Sequence, residues 1–343
     1  MNPETLLQYP LRELPAPGRA LEVAPGVHWV RMPLPFALDH INLWLLEDGD
    51  EWVLVDTGLG NDATRAHWET IFADRMGGRP AARVLLTHHH PDHAGNAGWI
   101  TRRFAPQFWT SQAEFLTAHA LCDGSAGYSR DSMMAMYCRN GLDRAAAAGL
   151  FGGGRNPYRE RVPDFPVSFR RLLDGDRIGI GSREWRVIMG YGHAPEHAAL
   201  YCESLGILIS GDMILPRIST NVSVPSSQPD GNPLMLFLRS IARYAELPAE
   251  TLVLPSHGQP FRGLRERVAQ LEEHHRLRLC ELRDVCDTPK AAAEVLATLF
   301  RRTLDTHQMF FAMGEAMAHL HYLHEAGELT SAEADGLIRY VRV

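Results

Sequence analysis

The sequence predicts a mixed α/β domain over residues 1–262 and a small, mostly helical domain over residues 263–343. Three observations carry that expectation. Short apolar, β-branched runs alternate with helical stretches through the first part, as strands and helices do in an α/β fold. Seven side chains of metal-ligand type, His88, His90, Asp92, His93, His193, Asp212 and His257, each follow a predicted strand. Past residue 261 the apolar period lengthens to three and four residues, the mark of amphipathic helices.

Residues 27–32, 41–46 and 52–56 read as strands, the last two divided by the turn residues Glu47, Asp48, Gly49 and Asp50. Asn61 or Asp62 caps a helix over 63–75 that stops at Gly77 and Gly78. Residues 83–87 form a buried strand leading directly into His88-His89-His90-Pro91-Asp92-His93. A helix over 96–104, a strand over 107–109 and a helix from Ser111 to Leu121 follow. Ser111 and Glu114 read as the capping box of that last helix. Residues 123–166 break the alternation. They hold a helix around Met133, Met134, Met136 and Tyr137, then Gly152 to Gly154, and are expected to form a lid over the site. Strands resume at 185–189, 199–202 and 207–210. Asn232 and Pro233 open a helix over 234–247, and a strand over 251–254 precedes Pro255-Ser256-His257-Gly258.

In the C-terminal part, Leu264, Val268, Leu271, His275, Leu279 and Leu282 mark a long helix. A second helix is expected from Thr288-Pro289, a third over 307–326 stopped by Gly327, and a short strand over 340–343. Three helices closed by a β-wing make a winged-helix-like unit. His274, His275, His319, His321 and His324 lack tight ligand spacing and read as structural.

Net charge is −7, which weighs against a dedicated nucleic-acid binder. The five cysteines are widely spaced without a C-x-x-C pair, as expected of free thiols in a reducing cytoplasm. The first ten residues carry no basic, apolar leader, and no stretch reaches the ~18–20 apolar residues of a membrane span. A cytoplasmic protein with no membrane partner is therefore expected.

Imidazole and carboxylate donors suit zinc and similar ions. Alternate residues of an extended segment point the same way, so His88 and His90 can grip one ion. Asp92 and His93 lie beyond the turn at Pro91 and face a second position. Crowding so many titratable groups without a cation costs several kcal/mol.

These segments resemble a known family. Thr87-His88-x-His90-x-Asp92-His93 resembles the signature of the metallo-β-lactamase superfamily. Gly192-His193-Ala194-Pro195-Glu196-His197 is similar to its G-H-[TS]-P-G-H segment, with Glu196 in place of the usual glycine. Ser210-Gly211-Asp212, Pro255-Ser256-His257-Gly258 and Val55-Asp56-Thr57-Gly58 resemble its remaining elements, in family order over residues 20–262. The resemblance implies a four-layer αβ/βα sandwich. It further implies that His88, His90 and His193 hold one ion, that Asp92, His93 and His257 hold the other, and that Asp212 bridges them.

On the same grounds Asp92 and Asp212 are the expected catalytic residues, working with a metal-bridging hydroxide. Asp56 and His197 support the ligands from behind, and His89 faces away. Two divalent ions are expected, zinc first, with iron or manganese also suited to the donors. An aspartate at 212 resembles the glyoxalase II, lactonase and ribonuclease branches, since true β-lactamases carry cysteine or histidine there. His90 argues against the flavodiiron branch. Gly314-Glu315-Ala316-x-Ala318-His319-Leu320-x-Tyr322-Leu323 resembles the winged-helix extension of the β-lactamase-like protein 2 group.

The expected activity is hydrolysis of a small ester, thioester or lactone. An endoribonuclease or phosphodiesterase and a mononuclear iron sulfur dioxygenase are the alternatives. Arg217, after the bridging Asp, is a candidate for a substrate anion or a plain loop charge. A small molecule is the expected partner, RNA a less favoured one, and a homodimer is allowed.

Overall fold

The computed structural model describes residues 7–150 and 156–343. Residues 1–6 and the glycines at 152–154 lie outside them. The first sheet joins β1 (Ala20–Ala24), β2 (Val27–Pro33), β3 (His40–Asp48), β4 (Glu51–Val55), β5 (Ala81–Leu85), β6 (Gln107–Thr110) and β7 (Arg170–Arg171) in that order. Pairing is antiparallel as far as β4 and parallel beyond it. The parallel strands need crossovers, and the helices supply them. These are α1 (Asp62–Ala73), α2 (Pro91–Ala94), α3 (Ala97–Phe104), α4 (Gln112–Asp123), α5 (Arg130–Arg139), α6 (Arg144–Leu150) and α7 (Pro157–Arg161).

The second sheet runs β12-β11-β10-β9-β8, from β8 (Arg177–Ile180), β9 (Arg183–Gly190), β10 (His197–Cys202), β11 (Ile207–Gly211) and β12 (Leu252–Pro255). Its crossover helix α8 (Pro233–Tyr244) starts as its sequence dictates. The Asn232 side chain accepts from Met235 N at 3.1 Å, and Pro233 occupies the first turn, where its missing N–H costs nothing. The C-terminal part contains α9 (Leu264–Val285), α10 (Leu296–Leu299), α11 (Thr306–Glu325) and the hairpin of β13 (Leu329–Ala334) and β14 (Leu337–Arg342).

Alternating side chains divide the apolar residues into three layers. Trp29, Trp44, Val53, Trp185, Val187 and Leu254 fill the space between the sheets. Leu43, Leu45, Trp52, Trp68 and Ile71 join the outer face of the first sheet to its helices. Ile188, Leu208, Phe237, Ile241 and Leu271 do the same for the second sheet. That last layer continues without a break through Met313, Met317 and Leu320 of α11, so the C-terminal helices share a core with the sandwich. Two sheets face to face with helices outside make the expected αβ/βα sandwich.

Several elements differ from the sequence expectation. β1, β7 and β8 are short edge strands, and the alanines and glutamate of β1 and the arginines and glycine of β7 and β8 carry little β signal. No helix begins at Thr288-Pro289. Lys290 instead exchanges backbone hydrogen bonds with Tyr340 at 2.8 and 2.9 Å, which holds that segment extended against β14, and helical turns start only at Ala292. The C-terminal histidines bond one another and the backbone. His275 Nδ1 lies 3.1 Å from His319 Nε2, and His321 donates to Gly231 O at 2.8 Å. All five cysteines are free. No helix among the described residues is long and apolar enough to cross a membrane.

Candidate metal centre

The ligand-type residues meet where strand ends of both sheets converge. His88, His90, Asp92 and His93 follow β5 of the first sheet, while His193, Asp212 and His257 follow β9, β11 and β12 of the second. They form two groups: His88, His90, His193 and Asp212 in one, and Asp92, His93 and His257 in the other. In the first, His88 Nε2 lies 2.9 Å from His90 Nδ1 and 3.1 Å from His193 Nε2. In the second, His257 Nε2 lies 3.4 Å from Asp92 Oδ2. Asp212 stands between them. Its Oδ2 is 3.4 Å from His193 Nε2, and its Oδ1 is 3.4 Å from His93 Nε2 and 3.5 Å from His257 Nε2.

The residues behind these ligands fix their tautomers. His93 Nδ1 donates to Asp56 Oδ2 at 2.7 Å. Thr87 Oγ1 donates to the same carboxylate at 2.8 Å and accepts from His88 Nδ1 at 3.1 Å. His193 Nδ1 donates to Asn221 O, and His257 Nδ1 donates to His40 O, each at 2.8 Å. In the neutral rings this leaves all four Nε2 atoms with bare lone pairs, and all four point inward. His93 Nε2 and Asp212 Oδ1 are buried without a hydrogen-bond partner. Lone pairs and carboxylates converging in this way repel unless a cation lies among them, so the donor set fits two divalent ions.

Electrostatics separate the two groups. Burial and the neighbouring rings push His88 and His90 well below the ordinary histidine value, which keeps them neutral, as ligands must be. Burial also presses down on His93, yet Asp56, Asp212 and Asp92 hold it well above that value. Against its own burial, the carboxyl of Asp212 is held well below the usual range by His257 and His93.

Of the supporting residues expected, Asp56 stands behind both ligand groups. His197 lies under Asp212: its Nε2 accepts from Asp212 N at 3.2 Å, and burial lowers it to about 4. The contact needs Gly211, because a Cβ there would lie 2.2 Å from His197 Nε2. His89 points away and meets Glu114 Oε2 at 2.5 Å. Arg217 is exposed, with its guanidinium 5.9 Å from the ring of Tyr9.

The capping-box reading of Glu114 is wrong in one half. Ser111 Oγ accepts from Glu114 N at 3.3 Å, but the Glu114 carboxylate turns away from the helix start toward His89. His40, Asn221 and Glu114 were missed as site residues, because each acts through a partner distant in sequence.

The profile of the metallo-β-lactamase superfamily matches residues 37–257. The chain belongs to this superfamily. A second profile, the metallo-β-lactamase-like C-terminal domain, matches residues 279–343. A probable metallo-hydrolase from Bacillus subtilis, YqjP, is 27% identical over 311 residues, covering 88% of this chain and 93% of that protein. A hydroxyacylglutathione hydrolase from Xanthomonas axonopodis pv. citri is 27% identical over 222 residues, 64% of this chain and 62% of its own length. The crystal structure of a β-lactamase domain protein from Burkholderia ambifaria superposes with a TM-score of 0.93 at 48% identity over the whole of both chains. Membership and the His/Asp cluster together make the chain a metal-dependent hydrolase.

Proposed function

We propose that the chain is a binuclear hydrolase of a small thioester or related ester. The observation that carries this reading is Asp212, whose two oxygens face the two ligand groups separately. His88, His90, His193 and Asp212 would hold one ion, and Asp92, His93, His257 and Asp212 the other. Zinc is the ion best suited to these donors. Two such cations, when bound, polarise a carbonyl oxygen and bring the pKa of water from ~15.7 to about 7.

The chain's own residues supply the rest. The Asp92 side chain is 21% exposed, against 3% for His257 and none for His93. It is the carboxylate a water molecule reaches, and it orients that water and accepts its proton. Asp56 and His197, both shielded from solvent, hold their partners in one geometry throughout. The wall of the site falls to two segments. Residues 216–232 include Asn221, which steadies His193. In the proposed lid, residues 123–166, Tyr158 Oη donates to His89 O at 2.6 Å in the metal loop, and Gly127 O accepts from Ser226 Oγ of the other wall segment at 2.8 Å.

The hydroxyacylglutathione hydrolase relative supports a thioester, since an acyl group on glutathione is carried by its thiol. The test is a panel of acyl-glutathione and acyl-coenzyme A thioesters, lactones, phosphodiesters and RNA, given to protein of measured metal content. Turnover of thioesters with two ions per chain is expected. Cleavage of RNA alone, or oxygen uptake on a sulfur substrate with one iron per chain, overturns the reading.

A further inference from the structure

Glu114 is a carboxylate with no solvent exposure, and its two oxygens are occupied by two different loops. Oε2 accepts from His89 N at 2.9 Å and from His89 Nδ1 at 2.5 Å. Oε1 accepts from Glu196 N at 2.7 Å. His89 lies between the ligands His88 and His90, and Glu196 lies between His193 and His197. The first loop leaves β5 of the first sheet, and the second joins β9 to β10 of the second sheet. Glu196 completes the exchange, since its carboxylate accepts from Ala113 N at 3.1 Å at the start of α4. One side chain thus spans the seam that the three-histidine position must also span.

We propose that Glu114 is a positioning residue of the metal centre, clamping the loop of His88 and His90 to the loop of His193. Three N–H donors surround the carboxylate, and both of its oxygens are needed to satisfy them. An amide offers one oxygen, and its NH2 then faces a donor on whichever side it is turned. Glu114→Gln is nearly isosteric, so it releases one loop without opening a void. A ligand set left loose in this way loses affinity by about 10–100-fold when a residue behind it is removed.

The experiment is a zinc titration of the metal-free protein against a competing chromophoric chelator, with thermal unfolding of the same samples. Expected for Glu114→Gln is a folded protein in which one of two zinc equivalents binds 10–100-fold more weakly while the other changes little. Glu114→Asp, which keeps the charge but is one methylene shorter, gives the same selective loss if the amide variant folds poorly. Lower unfolding temperature with both zinc equivalents at wild-type affinity would mean that Glu114 supports only the fold, and the proposal fails. Equal weakening of both equivalents also overturns it, because the clamp touches one position.

Discussion

Replacing Asp56 with asparagine tests the tautomer argument directly. Asp56 adopts φ 64°, a conformation that asparagine tolerates, so the turn survives the change. Asparagine oxygen can still accept from Thr87 N, now bonded to Asp56 Oδ1 at 2.8 Å. Its NH2 then faces His93 Nδ1, where the carboxylate accepts at 2.7 Å. That NH2 needs an acceptor, so the His93 proton moves to Nε2, the nitrogen aimed at Asp212 and required as a ligand. Removing a charge-assisted hydrogen bond costs about 1.5–3 kcal/mol. Loss of a residue behind a ligand weakens metal binding by about 10–100-fold, or roughly 1.4–2.7 kcal/mol. Chelator competition on the metal-free variant reads the affinity, and nitrogen NMR of the imidazoles reads the tautomer. Two zinc ions bound at wild-type affinity, with His93 Nδ1 still protonated, would refute the reasoning.

Two further outcomes follow from packing and burial. Gly314 of α11 lies so close to the loop beside His193 that a Cβ would sit 2.5 Å from Ser223 Oγ. Gly314→Ala is therefore expected to cost about 1–3 kcal/mol despite alanine's better helix propensity; adding Ser223→Gly restores most of this in urea unfolding, and a stable single variant would contradict the contact. Burial lowers His275 to about 2. The unfolded chain takes up this proton below pH ~6.5 while the folded chain does not, so the stability contribution is complete above pH 6.5 and is lost as pH falls toward 2. His275→Phe should reduce the loss of stability between pH 6.5 and 5 by about 2 kcal/mol, and an unchanged pH slope in unfolding measurements would count against it.

The residues that meet in the His/Asp cluster were legible because the signal is local. His88 to His93 place four donors in six positions, and His193, Asp212 and His257 each close a recognisable strand. The residues that orient those donors were mostly invisible. His40 and Asn221 act through backbone carbonyls that any residue could supply, and Glu114 fits a helix cap by spacing alone. Asp56 was found because it belongs to a motif. In the fold, long apolar strands announced themselves, whereas β7 consists of Arg170 and Arg171 and shows only through its pairing with Trp109 and Thr110. Lys290 was assigned to a helix start because a tertiary partner, Tyr340, decides its conformation.

The division of ligands between the sheets also bears on how the ions relate to folding. Four donors lie within one short stretch of chain, while His193, 105 positions beyond His88, joins them only when the second sheet is in place. The short stretch persists in the unfolded chain and is expected to bind metal there too, with lower affinity. Binding to both states limits the stabilisation that added metal can give. Unfolding temperature should therefore climb at low metal concentration and then level off, because once the unfolded chain is also charged only the three distant ligands separate the two states.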